Sequence, residues 1–315
     1  MKNMISRRNF LAAAGVVAVA GVLTACGGSS STAASGSTAA SGAVASAEGG
    51  VLNVMLETEV QSLDPQLATD GTSFEVIANY TDGLMQMDAN GAAVEALAES
   101  YELVNDTDFV FKLREDAVWS DGTPVTANDV KFTFDRAKNM PKTKSNTSKV
   151  KEVVVDNEHQ VTIKLTEPYA PFNTIVASSN LSIVQEAAVT AAGEAYGDAD
   201  NIVTSGPFTV KEWVPNDHYT LEKNANYWGE EPITTSITVR VIPEGSARAI
   251  ALETGEVDLV WGVDPTDCSN IEANSDVKLL SQPSSSIEYL GMNMTKEHFK
   301  DQKVRQAINY AIDKQ

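Results

Sequence analysis

From Val51 onward, stretches with strand periodicity alternate with stretches of helix periodicity, and nothing recurs at an interval of about 20–50 residues. Each amphipathic element needs a layer to bury its face against, so the pattern implies an α/β fold with at least two lobes. "VLNVML" (51–56) reads as a buried strand, and "LDP" (63–65) then breaks the chain. Thr72 and Glu75 have the spacing of a capping box for a helix carrying Val76, Ile77, Tyr80 and Leu84. Phe109, Phe111 and Leu113 alternate on one face of a strand that runs through Trp119 to the Asp121-Gly122 turn. A second box, Thr126 with Asp129, starts a helix with Val130, Phe134 and Ala137 inward. A hairpin about Asn157 follows, with Val161, Ile163 and Leu165 alternating in its return strand. "FTVKEW", "HYTLEK" and "SITVRVI" read as strands, and "SARAIALETG" as a short helix closed by Gly255. "VDLVWG", "VKLLS" and "SIEYLGMNM" read as further strands.

The last segment is a helix with one apolar stripe: Val304, Ala307, Ile308, Ala311 and Ile312, behind Asp301 as a cap. No Gly, Asn or Pro closes it, and nothing after it supplies a surface for the stripe to pack on.

The first residues belong to no such pattern. Lys2, Arg7 and Arg8 precede an uncharged run from Leu11 to Ala25, shorter than the ~20 residues of a bilayer span. It ends in Leu23-Thr24-Ala25-Cys26, which resembles the bacterial lipobox. That resemblance implies cleavage after Ala25 and a diacylglyceryl thioether on Cys26. Ser6-Arg7-Arg8-Asn9-Phe10-Leu11 also looks like a twin-arginine export signal, while two arginines are equally compatible with the general secretory route. Residues 27–47 are Gly, Ser, Thr or Ala except Val44, a composition that cannot bury a core. As a flexible tether it would reach ~25 Å. With Cys26 acylated, Cys268 alone remains and no intrachain disulfide is available.

Composition excludes some functions. Net charge is −20, against a nucleic-acid partner that would be held through Lys and Arg. There is no G-x-S-x-G, H-E-x-x-H, C-x-x-C or G-x-G-x-x-G, so neither a nucleophile nor a cofactor loop is announced. His159, His218 and His298 are isolated, with no second metal ligand at a useful spacing. The Asp121/Asp129 and Glu256/Asp258 pairs read as local caps rather than as an acid and a base. No catalytic residue, no metal site and no cofactor is expected.

Seven segments together resemble the extracytoplasmic solute-binding proteins of ABC transporters, in the oligopeptide, dipeptide and nickel group (family 5). They are "SLDPQLATDG" (62–71), "YTDGLMQMDANG" (80–91), "FKLREDAVWSDGTPVTANDVKFTFDRA" (111–137), "TSGPFTVKEW" (204–213), "NANYW" (224–228), "LETGEVDLVW" (252–261) and "DQKVRQAINYAIDK" (301–314). They keep the family's order and cover nearly everything after residue 50. The resemblance implies a bilobal, periplasmic-binding-protein-like α/β fold with a small extra domain. Residues 1–25 would be the lipoprotein signal peptide and 26–49 the tether. Residues 50–82 with 200–262 would form part of the first lobe, 83–199 the extra domain, and 263–315 the start of the second lobe. In the family the final helix leads into a large C-terminal portion, so the sequence is expected to stop inside that lobe.

The function so implied is capture without chemistry: a monomeric lipoprotein outside the membrane closes on a short peptide and delivers it to a permease and its ATPase. Nickel chelates, oligosaccharides or a signalling peptide are alternatives on the same fold. A surface-anchored hydrolase is the alternative of another class, and it lacks a catalytic cluster. Candidate ligand contacts are Asp70, Gly71, Thr72 and Ser73 at a helix start, and Trp261, Gly262 and Val263 after a strand end. Ser286, Ile287 and Tyr289, entering the second lobe, complete the set. Trp119 is assigned to packing in the extra domain.

Overall fold

The computed structural model describes residues 49–281 and 289–313. The chain divides into two compact units, one up to Val277 and one from Lys278 onward.

The first unit is mixed α/β. Its strands are β1 (Val51–Leu56), β2 (Met85–Met87), β3 (Ala93–Glu95), β4 (Ala98–Val104), β5 (Asp108–Leu113), β6 (Val150–Asn157), β7 (Gln160–Leu165), β8 (Phe208–Val214), β9 (His218–Lys223), β10 (Ser236–Val241) and β11 (Leu259–Val260). Its helices are α1 (Gly71–Ile77), α2 (Ala127–Asn139), α3 (Phe172–Val176), α4 (Glu186–Ala192), α5 (Gly245–Glu253) and α6 (Cys268–Ala273). One sheet has the order β11-β1-β10-β9-β8, a second has the order β4-β5-β7-β6, and β2 pairs with β3.

In the first sheet β1 runs parallel to both neighbours, with Leu56 opposite Val241 and Met55 opposite Val260. The carboxyl ends of β11, β1 and β10 therefore lie side by side on one edge. Side chains of β1 alternate between faces. Val54 and Leu56 join Ile77, Tyr80, Phe208, Tyr219 and Val239 in one core, while Met55 packs with Ala251 and Val257 on the α5 side.

The four-stranded sheet has its own core. Phe109, Phe111 and Leu113 project from one face of β5 onto Trp119, Phe134, Ile163 and Phe172, so Trp119 does serve packing there. The rings of Phe109 and Phe172 lie 4.8 Å apart. Each such burial contributes about 1.5–3 kcal/mol. The Thr126–Asp129 box forms, with Asp129 Oδ2 accepting from the Thr126 N–H at 3.0 Å and Oδ1 accepting from the Glu186 N–H at 3.0 Å. One buried carboxylate thus starts α2 and fixes the entry to α4.

Several local expectations are corrected. Asp70, not Thr72, caps α1: its backbone is extended and Oδ1 accepts from the Ser73 N–H at 2.9 Å. Thr72 sits inside the helix, hydrogen-bonded to Thr58. The helix ends at Ile77, so Tyr80 and Leu84 lie beyond it. The strand through Phe111 stops at Leu113, and Trp119 instead closes a tight turn, accepting from the Gly122 N–H and donating to the Thr123 carbonyl. "VKLLS" and the described part of "SIEYLGMNM" form no strand, because no neighbouring strand offers them a ladder among the described residues.

The second unit contains α7 (Glu297–Lys300) and α8 (Gln302–Ala311). Asp301 caps α8, accepting from the Lys303 N–H at 2.8 Å, and none of its residues is buried.

Candidate functional site

The edge formed by the ends of β11, β1 and β10 is where seven of the ten candidate ligand contacts gather. In open α/β sheets, ligands bind outside the carboxyl ends of parallel strands. The chain leaving β1 passes through Glu57, Thr58 and Glu59. The Thr58 hydroxyl is 2.6 Å from the Thr72 hydroxyl, which brings the start of α1 to this edge. On the other side a methyl placed at Gly262 would stand 3.5 Å from Glu57 Oε2, so the turn after β11 borders the same segment.

Side chains in the first group have distinct states. Gly71 is exposed, with open space where a side chain would project. Asp70 accepts from both the N–H and the hydroxyl of Ser73, at 2.9 and 2.7 Å. Ser73 is buried and its oxygen also accepts from the Gln61 N–H at 3.0 Å. Its polar groups are committed to holding Asp70 and the segment before α1.

In the second group Trp261 is 55% exposed, and its backbone N–H donates to the Met55 carbonyl at 3.2 Å. Gly262 has φ +71°, a conformation that favours glycine. Val263 is half-buried. In the other unit Tyr289 is 83% exposed. Ser286 and Ile287 lie outside the described residues, as does Cys26.

Three residues that sequence reasoning passed over belong to this edge: Glu57, Thr58 and Arg248. Arg248 projects from α5 with its side chain only 4% exposed, and Glu57 is 60% exposed. Arg248 Nη1 donates to the carbonyls of Ile242 (2.8 Å) and Pro243 (2.7 Å), and Nη2 donates to that of Gly262 (2.7 Å). Nη2 is 3.8 Å from Glu57 Oε2. The signal available in sequence was a lone cation in an otherwise apolar helical stripe, with Ala249 and Ala251 buried beside it.

Among the described residues, no group of three or more His, Cys, Asp or Glu is placed to hold a metal, and no helix is long and apolar enough to cross a membrane.

Comparison with known proteins matches residues 92–315 to the family described as bacterial extracellular solute-binding proteins, family 5 middle. The glutathione-binding protein GsiB of Escherichia coli K12 is 30% identical over 266 residues, covering 83% of this chain and 52% of that protein. The chain thus spans about half the length of the curated relatives it matches. Among solved structures, the binding protein MoaA of A. tumefaciens R10, in complex with mannopinic acid, superposes with a TM-score of 0.73 at 27% identity. The match covers 84% of this chain and 56% of that one. OppA of Listeria monocytogenes, bound to peptide, gives 0.62 at 28% identity, covering 67% and 46%.

Proposed function

This chain belongs to the bacterial extracellular solute-binding proteins of family 5, and on that footing we propose that it captures short peptides outside the membrane for an ABC transporter. The observation that carries the reading is the strand-end edge, where the Gly262 turn, next to the half-exposed Trp261, and the Asp70–Thr72 helix start border one segment, Glu57–Thr58. An exposed aromatic residue on a turn that shares this edge with a helix start suits a small ligand with both backbone-like and apolar parts. The names of the relatives, which speak of glutathione and of bound peptide, support the peptide class.

In this account Asp70, Gly71, Thr72, Trp261 and Gly262 face the ligand from residues 50–82 and 200–262, the part of the first lobe in this chain, and Val263 from the point where the second lobe begins. Ser73 acts through Asp70. Ser286, Ile287 and Tyr289 are the ligand contacts assigned to the second lobe, residues 263–315, and 83–199 form the extra domain. Delivery is to a permease with its ATPase, and the binder works as a monomer. A lipid on Cys26 and the tether after it would keep the body near the outer face of the membrane.

Equilibrium dialysis of the protein, as its own cell makes it, against labelled tripeptides tests the reading. Saturable retention of intact peptide is the expected result. Retention of a nickel chelate, an opine or an oligosaccharide in place of every peptide would move the protein to another ligand class. Cleavage of the peptide would make it a hydrolase.

A further inference from the structure

A single buried guanidinium spans three neighbouring strand ends. Ile242 and Pro243 follow β10, Gly262 follows β11, and Glu57 follows β1, the strand between them. Arg248 donates to the first three carbonyls and keeps its charge 3.8 Å from the Glu57 carboxylate. A buried guanidinium is costly to desolvate. Packing α5 alone would be served as well by an aliphatic side chain of similar length. What the guanidinium adds is geometric: a rigid fork that sets the carbonyl next to Trp261 relative to the other two strand ends. At Gly262 the backbone is at φ +71°, so the direction in which the chain leaves β11 depends on what holds that carbonyl.

We infer that Arg248 is a positioning residue for ligand capture, holding the Trp261–Val263 turn at the strand-end edge without touching the ligand. The inference rests on the proposed function for its consequence in affinity, and on the geometry alone for its consequence at Trp261. Arg248→Gln removes the fork's reach and its charge. Arg248→Lys keeps the charge but offers donors from one point, so it can serve only part of the carbonyl set.

The test uses the full chain, well below its melting midpoint. The Trp261 contribution to emission is isolated by subtracting the signal of the matching Trp261→Phe protein, and acrylamide serves as quencher. For Arg248→Gln the Trp261 quenching constant is expected to rise, with Arg248→Lys intermediate. Loss of a charge-assisted bond corresponds to roughly a tenfold weaker Kd for a tripeptide probe. Arg240→Gln, which removes another guanidinium paired with Glu256 on the exposed surface, is expected to change neither reading. If Arg248→Gln does not fold, Gly262→Ala perturbs the same turn and is expected to raise the quenching constant likewise. A lowered melting midpoint with unchanged Trp261 quenching and unchanged Kd would make Arg248 a stabilising residue only and overturn the inference. If the parent protein binds no tripeptide, the peptide reading fails, while the quenching comparison still decides whether Arg248 sets the turn.

Discussion

Arg136 grips Asp64 through a two-pronged ion pair, Nη1 to Oδ1 at 3.1 Å and Nη2 to Oδ2 at 2.5 Å. Asp64 is fully buried, and Arg136 Nη1 also donates to Gln66 Oε1 at 2.6 Å. The pair ties the "LDP" break after β1 to α2, on which the core of the four-stranded sheet is built. Removing one partner of a buried pair strands the other's charge. Arg136→Ala should therefore cost about 3–5 kcal/mol in urea unfolding. Adding Asp64→Ala to it should cost less than the two single changes summed. Strict additivity would mean that the two charges do not depend on each other.

A second tie is a close backbone approach. A Cβ at Gly206 would stand 2.6 Å from the Tyr80 carbonyl carbon and 2.9 Å from the Thr81 nitrogen. The Gly206 N–H donates to the Tyr80 carbonyl at 3.0 Å, so the two strands of chain cannot simply part. Gly206→Ala is expected to destabilise by about 1–3 kcal/mol. A melting midpoint equal to the parent's would show that the approach can relax freely.

Asp82 stands between the two cores. Burial pushes its carboxyl up to about 7, and the Trp228 indole only partly opposes this. The folded chain therefore holds this proton more tightly than the unfolded chain, whose carboxyl titrates near 4. The stability that the neutral group preserves is complete below about pH 4 and is lost as pH rises through about 7. Asp82→Asn is neutral at every pH. It should flatten the stability profile across that window and leave the protein more stable than the parent at pH 8. Parallel profiles for the two proteins would show that Asp82 is ionised in the fold.

The Leu23–Cys26 sequence carries its own test. The full chain should partition into detergent after expression in a bacterium that processes lipoproteins, and Cys26→Ala should partition into water. Two acyl chains are needed for lasting attachment, and one diacylglyceryl group supplies them. Detergent partitioning that survives the substitution would remove the lipid from the account.

Much of the fold was legible because the deciding forces were local. Alternation of Phe109, Phe111 and Leu113 located β5, and the Thr126–Asp129 spacing located α2. Where two local patterns competed, the spacing misled: Thr72 and Glu75 fit a box, but an aspartate two residues earlier made the stronger cap. "VKLLS" has strand composition, yet a strand exists only where a neighbour receives its hydrogen bonds. The placement of the candidate site was half legible. Trp261 and Gly262 follow a strand in sequence, which marks them as rim residues. Arg248 gains its meaning only when β11, β1 and β10 align their ends, a non-local fact that no window of sequence contains.

The central claim is that this chain holds a peptide-like ligand and leaves it chemically unchanged. The most direct measurement is to purify the protein from its native cell, release whatever it carries by denaturation, and identify the released molecules by mass spectrometry. Titration calorimetry of the emptied protein against synthetic copies follows. The account predicts one or more short peptides, recovered intact, that rebind saturably with a 1:1 stoichiometry. Recovery of only a non-peptide ligand, or of peptides that the protein cleaves on incubation, would contradict it.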